Sequence, residues 1–393
     1  MSKAQKPQTA SRFRIPWLPG QHPKAGKDNT YPFRATTDNG VMSLADIIGT
    51  TAANQVEASN QLTFHSVGDT GRGSHTPQQD TAEAMARDVD PKKHATSPAF
   101  LFHLGDVIYG DGKENLYDDE FYRPYAAYPN KIIAIPGNHD GDVGVTVDTT
   151  SLKAFEDNFC SPIGTEPPLA KTFSNEMVHQ PGVYWMLETK LLNLIGLYSN
   201  AAEDFGTLGD ANVGTQQLEW LAQTLSNIAT QRKGKTRKTR KALIIGMHHP
   251  PYARGLSDKG YGHGSSDAMR QQMDTAFDKA GVWPDLVLSG HAHSYQRYER
   301  VKGLNGGNKK IPYIVAGTGG YAIQPAPSGI GTTEGDTTYK NGSPPKGLMQ
   351  AGQPNTGYGY LTITVTQTNI KVVFVIVQGN HRQPFETINT PLK

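Results

Sequence analysis

Pro284-Asp285-Leu286-Val287-Leu288-Ser289 runs directly into Gly290-His291-Ala292-His293, joining an apolar run to a glycine and two histidines one residue apart. The apolar run reads as a buried strand. In an extended segment alternate side chains share a side, so His291 and His293 are expected to face one point just beyond the strand end. Neutral imidazole is the commonest metal ligand among side chains, and two nitrogens aimed at one place suggest a metal. Taken alone, the pair reads equally well as a hydrogen-bonded turn. The decision rests on whether other strand ends supply further ligands.

Working outward, the same grammar recurs four times. Residues 62–67 (LTFHSV) run into Gly68-Asp69-Thr70-Gly71, and residues 99–104 (AFLFHL) into Gly105-Asp106-Val107-Ile108-Tyr109. Residues 131–135 (KIIAI) run into Pro136-Gly137-Asn138-His139-Asp140, and residues 242–247 (ALIIGM) into His248-His249-Pro250. Helical patterns stand between these strands, over residues 76–88, 116–127, 151–159, 215–230 and 265–280. In α/β sheets ligands collect at the carboxyl ends of strands. Gly-Asp alone is a common turn, Asn-His a plausible cap, and His-His before Pro-Pro a loop corner. Five such ends in succession, all with oxygen or imidazole ligands, are hard to explain as packing. Burying them together is costly unless cations bind them.

The rest of the chain sets bounds. With 393 residues, one large domain or two ordinary ones fit. No internal repeat or linker is visible, which favours an extension over residues 1–60 that wraps a single catalytic domain over 61–393. A formal charge of +2 argues against nucleic acid or an anionic membrane surface as partner. The one basic run, residues 232–241 (RKGKTRKTRK), reads as a solvated loop. Cys160 stands alone, which excludes an internal disulfide and a cysteine-based zinc site. The first residues lack the apolar core of a signal peptide, and no run approaches the roughly 18 apolar residues of a membrane span. A cytoplasmic location is the default expectation, although a secreted chain stripped of its leader reads the same. Residues 183–187 and 192–197 look like a hairpin, and residues 311–316, 358–366 and 370–377 like further strands. Residues 317–357, rich in Gly and Pro, read as an excursion near the site.

Asp69-Thr70-Gly71, Gly105-Asp106-Val107-Ile108-Tyr109, Gly137-Asn138-His139-Asp140, His248 and Gly290-His291-Ala292-His293 resemble, in order and spacing, the motifs of the calcineurin-like metallophosphoesterases. Within that superfamily they look like the purple acid phosphatases, in a single-domain, bacterial type of relative without the N-terminal β-sandwich of the large plant proteins. The resemblance covers residues 60–380. It implies an α/β fold, a four-layer αββα sandwich of two mixed sheets flanked by helices. It also implies two metal ions bridged by Asp106. Asp69, Tyr109 and His293 would complete one position; Asn138, His248 and His291 would complete the other. A tyrosinate at Tyr109 favours iron there, with iron, zinc or manganese at the second position. The implied chemistry is hydrolysis of a small phosphorylated substrate, phosphomonoesters before phosphodiesters, with hydroxide from metal-activated water attacking phosphorus. His139, and His263 from a Gly-rich loop, are the expected catalytic groups. Asp140 and His249 are expected behind the ligands. The competing expectation from another class is a dimetal redox or metal-binding protein without hydrolytic activity. It lacks the Glu-rich helical signature of di-iron carboxylate proteins.

Overall fold

Strands such as residues 242–247 are apolar at every position because both of their faces are covered, and this decides the layering. A computed structural model of the chain describes residues 40–73, 76–90, 92–94, 96–110, 112–141, 152–161, 165–170, 177–201, 206–209, 214–234, 240–254, 263–304, 307–324, 348–351 and 355–392. Strand β1 (Val41–Ser43) leads into helices α1 (Leu44–Ile48) and α2 (Thr50–Ser59). Ser43 and Asp46 form a capping box at the start of α1. Next come β2 (Gln61–Val67), α3 (Pro77–Ala86), β3 (Pro98–His103), β4 (Ile132–Ala134), the single turn α4 (Asn138–Gly141) and α5 (Lys153–Phe159). The hairpin of β5 (Trp185–Glu188) and β6 (Leu192–Leu197) precedes α6 (Gln216–Arg232), β7 (Ala242–Met247), α7 (Asp267–Ala280) and β8 (Leu286–Ser289). The chain then turns to β9 (Tyr295–Leu304), β10 (Gly307–Ala316), β11 (Leu348–Gln350), β12 (Gly359–Thr366), β13 (Asn369–Gln378) and β14 (His381–Pro391).

Two mixed sheets result. One has the order β1-β5-β6-β7-β8-β10-β9-β11, the other β14-β13-β12-β2-β3-β4. Alternation along each strand divides its side chains between two cores. On β3, Phe100 and Phe102 face inward and meet Ile244 of β7 and Leu288 of β8 between the sheets. Leu101 points the other way, toward Met85 of α3 and Phe159 of α5. On β7, Leu243 and Ile245 pack outward against Leu221 and Leu225 of α6 and Phe277 of α7. The order helix, sheet, sheet, helix is the four-layer sandwich expected from the resemblance.

Three details differ from expectation. Of the proposed N-terminal extension, residues 1–39 lie outside the described residues; residues 40–60 enter the fold, with β1 parallel to β5 and Met42, Leu44, Ile47 and Val56 in the inter-sheet core. Residues 116–127 do not form a regular α-helix. A 3-10 turn (Glu114–Leu116) and a π-helical turn (Asp118–Tyr122) take its place and bury Tyr117, Phe121, Tyr122 and Tyr125, because the run is too aromatic to leave a face in water. The ends of the basic run are not simply solvated. Arg232 and Arg240, with Lys309 of β10, converge on the buried carboxylate of Asp285, and Lys241 pairs with Glu188. Residues 235–239 lie outside the described residues. No helix among the described residues is long and apolar enough to cross a membrane.

Candidate metal centre

Asp69 follows β2, Asp106 follows β3 and Asn138 follows β4, all in one sheet, whereas His248 follows β7 and His291 follows β8 in the other. Since β2, β3 and β4 are mutually parallel, as are β7 and β8, each sheet delivers its ligands at one end. The two ends meet. Asp106 Oδ2 lies 3.3 Å from His248 Nε2 across the gap between the sheets. His291 Nδ1 lies 3.0 Å from Asn138 Oδ1 and 3.3 Å from His248 Nε2. His293 Nε2 lies 3.3 Å from Asp69 Oδ1 and 3.1 Å from the Tyr109 hydroxyl. Asp106, His248 and His291 form one group with metal-ligand spacing, and Asp69, Asp106 and His293 a second; Asp106 belongs to both.

The backbone is strained to achieve this. Asp69, Asp106 and His291 adopt positive φ of 61°, 50° and 65°, a region that side chains other than glycine rarely occupy. For His291 this overturns the expected strand alternation. Residues 291–294 form a bend between β8 and β9, and the two imidazoles turn to different partners. The Asp69 carboxylate stabilises that bend by accepting from His291 N–H at 2.8 Å. Gly137 is dictated by closeness, since a Cβ there would lie 2.2 Å from Asp106 Oδ1.

Hydrogen bonds to the chain orient the ligands. His248 Nδ1–H donates to the Leu104 carbonyl at 2.9 Å, so the neutral ring presents a lone pair at Nε2. That lone pair faces Asn138 Oδ1 at 3.1 Å and Asp106 Oδ2 at 3.3 Å, both acceptors. Three acceptors aimed at one another call for a positive charge, either a proton or a metal. In the absence of metal the proton answers. Burial works against charging His248, yet Asp106 raises its pKa to about 9. Burial likewise opposes ionisation of Asp106, but His248 and His139 hold its carboxyl below the usual range. The donor set therefore fits a metal by both chemistry and geometry.

Asp140 braces two loops. Its buried carboxylate accepts from the N–H groups of Val107, Ile108 and Gly137, tying the Asp106 loop to the Asn138 loop. His249 packs behind the cluster, its ring 4.3 Å from that of His291 and 5.2 Å from that of His248. Its N–H donates to Ser199 Oγ, which also sits 2.9 Å from Nδ1, and its buried Nε2 has no partner. His139 donates its N–H to Asp106 Oδ1, and its partly exposed ring lies 4.5 Å from that of Tyr109. His263 reaches the site: its ring lies 4.6 Å from His291 and 4.8 Å from His293. Burial and His293 lower its pKa to about 4, which keeps it neutral. Burial, then Asp69 and Asp106, push the Tyr109 phenol well above 10.

Sequence reasoning missed several neighbours. Tyr321 stacks on Tyr109 at 3.4 Å between centroids, nearly parallel. Gln324 N–H donates to the His293 carbonyl, and its amide nitrogen lies 2.5 Å from His263 Nδ1. His103, at the end of β3, accepts from Gly105 N–H at Nδ1 and donates from Nε2 to Thr70 Oγ1 at 2.9 Å. A signal for Tyr321 existed, because Gly317-Thr318-Gly319-Gly320-Tyr321 repeats the strand-then-glycine grammar after β10. The remainder of the expected excursion, residues 325–347 and 352–354, lies outside the described residues.

Known proteins align with this arrangement. Purple acid phosphatase 22 of Arabidopsis thaliana is 24% identical over 222 residues, 55% of this chain and 43% of that protein. Purple acid phosphatase 18 of the same plant is 25% identical over 264 residues, 66% of this chain and 50% of that protein. The chain thus spans about half the length of these curated relatives. Among solved structures, GAP50, described as the anchor in the inner membrane complex of Plasmodium, superposes with a TM-score of 0.55 at 14% identity, over 85% of this chain and 89% of that one. PhoD superposes with a TM-score of 0.52 at 13% identity, over 84% and 70% of the two chains. At such identities the two structures speak to fold alone. The family model described as calcineurin-like phosphoesterase matches residues 62–295, which run from β2 through the bend that carries His291 and His293. With more than half of its length and all five candidate strand ends inside that match, the chain belongs to the calcineurin-like phosphoesterase family.

Proposed function

We propose that this protein hydrolyses phosphate esters, phosphomonoesters in preference to diesters, at two metal ions that share Asp106. The observation that carries the reading is the membership of Asp106 in both ligand groups. Asp69, Tyr109 and His293 would hold one ion; Asn138, His248 and His291 would hold the other. When bound, the ions supply Lewis acidity toward phosphate oxygens and acidify a water for in-line attack at phosphorus. The Tyr109 hydroxyl lies 3.1 Å from His293 Nε2, and a tyrosinate there would favour iron at that position. The other position takes iron, zinc or manganese.

The remaining steps belong to the chain's own side chains. His139 is fixed by its backbone bond to Asp106 and stays partly open to solvent, which suits proton delivery to the leaving oxygen. His263, held neutral, offers an N–H to a phosphate oxygen from the side of His291 and His293. Asp106→Ala or His291→Ala in the metal-loaded protein is expected to abolish p-nitrophenyl phosphate hydrolysis and to lower the metal content. Full activity in Asp106→Ala would overturn the reading. A visible tyrosinate absorption lost in Tyr109→Phe would fix iron beside that residue; a colourless, active protein would replace iron with zinc or manganese. Faster turnover of bis-p-nitrophenyl phosphate than of the monoester would reverse the order of substrates.

A further inference from the structure

We infer that Arg72 forms a subsite for a second negatively charged group on the substrate, at the rim of the metal centre. The inference rests on the phosphoesterase reading and extends it to substrate class. Arg72 stands three residues after Asp69 and is exposed, but its backbone is not loose. The buried Gln78 side chain accepts from both Arg72 N–H and Gly73 N–H, at 2.8 and 2.9 Å, and donates to the Glu120 carbonyl. The Glu120 carboxylate in turn accepts from Tyr109 N–H at 2.7 Å. The loop that presents Arg72 is therefore anchored to the segment that presents Tyr109.

The guanidinium is aimed by its contacts. Nη1 donates to the Tyr321 carbonyl at 2.5 Å and to the Tyr358 hydroxyl at 3.3 Å. Among the described residues, Nε and Nη2 make no hydrogen bond and no carboxylate pairs with Arg72. Even Asp119, packed beside Gly73, forms no ion pair with it. Tyr321 is the partition between this cation and the ligands, with its ring flat on Tyr109 and edge-on to His293 at 5.6 Å. The charged edge thus stands one tyrosine away from the ligand cluster. A guanidinium held at one nitrogen, with two others unused, suits an oxyanion that offers two oxygens to its paired N–H groups. Phosphate and carboxylate share that chemistry. The substrate class is a phosphate ester whose far end carries a second oxyanion.

The test uses the full metal-loaded chain and three probes that share a 6-phosphate and differ at C1: glucose 6-phosphate, glucose 1,6-bisphosphate and the open-chain 6-phosphogluconate. The expected result is a kcat/KM for at least one doubly charged probe roughly tenfold above that for glucose 6-phosphate, expressed mainly in KM. In Arg72→Ala that ratio falls toward one, and Arg72→Lys retains part of it. Preference for the bisphosphate alone identifies phosphate as the second group; preference for phosphogluconate alone identifies carboxylate. A ratio near one in the unmodified chain, or a high ratio that survives Arg72→Ala, overturns the subsite. A chain that hydrolyses none of these and no p-nitrophenyl phosphate overturns the phosphoesterase reading instead. Calorimetric titration of the same three probes into the unmodified chain and Arg72→Ala then decides the subsite alone, with equal affinities counting against it.

Discussion

His103 shows how single residues keep the site's surroundings neutral. It is wholly buried, both ring nitrogens are hydrogen-bonded, and burial lowers its pKa to about 3. The unfolded chain takes up this proton near pH 6.5, the folded chain only near 3, so the neutral ring's contribution is complete above 6.5 and lost as pH falls below it. Between pH 7 and pH 5 the loss is about 2 kcal/mol. Urea titrations of chelator-treated protein at these two pH values are expected to show a smaller difference in His103→Gln than in the unmodified chain. An equal difference would remove His103 from the account. The candidate ligands were legible in sequence because an Asp, Asn or His just past an apolar strand is a local signal. His103 carried no such signal, and the glycine-rich stretch before Tyr321 marked a strand end without its role, since the stacking partner Tyr109 is distant in sequence. The direction of His291 was misread because its positive φ comes from Asp69 accepting its N–H, a partner 222 positions away.

At the scale of elements, the contact between β3 and β7 controls how closely the sheets approach. Gly246 of β7 faces the Phe102 ring of β3, and a Cβ there would lie 2.4 Å from the ring edge. Gly246→Ala therefore overfills a close-packed layer, with an expected cost of ~1–3 kcal/mol. The urea midpoint should fall with an unchanged m-value, and Phe102→Leu in the same chain should recover part of it. Apolar strands bounded by glycine were readable as elements, and their observed bounds stay close to the expected ones. Strands β9 and β14 were not read. The former mixes Tyr and Val with Gln, Arg, Glu and Lys, and the latter is a largely exposed edge, so neither shows the continuous apolar run of a doubly covered strand.

For the molecule as a whole, the candidate ligand set would join the sheets as the inter-sheet core does, because three of its strand ends belong to one sheet and two to the other. A metal held by both is bound only in the folded state, and stabilisation by mass action follows. Chelation is expected to lower the melting temperature, and metal return to restore it. Asp106→Ala, which removes the residue common to both ligand groups, should make melting nearly indifferent to chelator. Unchanged melting of the native chain on metal removal would argue against a site that joins the two sheets. The four-layer order was legible through the resemblance; the joining of residues 40–60 to a sheet edge was not. A three-residue strand carries too short a pattern to be distinguished from a loop.

The bond from His248 to Leu104 has a genetic consequence. The oxygen that fixes the imidazole belongs to the main chain, so no codon change at position 104 can delete it. A saturation screen would find His248 intolerant and would blame Leu104 only for its side chain. The group that sets the tautomer would leave no trace in the mutational record. Replacing the amide at that position with a backbone ester, which weakens the carbonyl as an acceptor, would be needed to expose it.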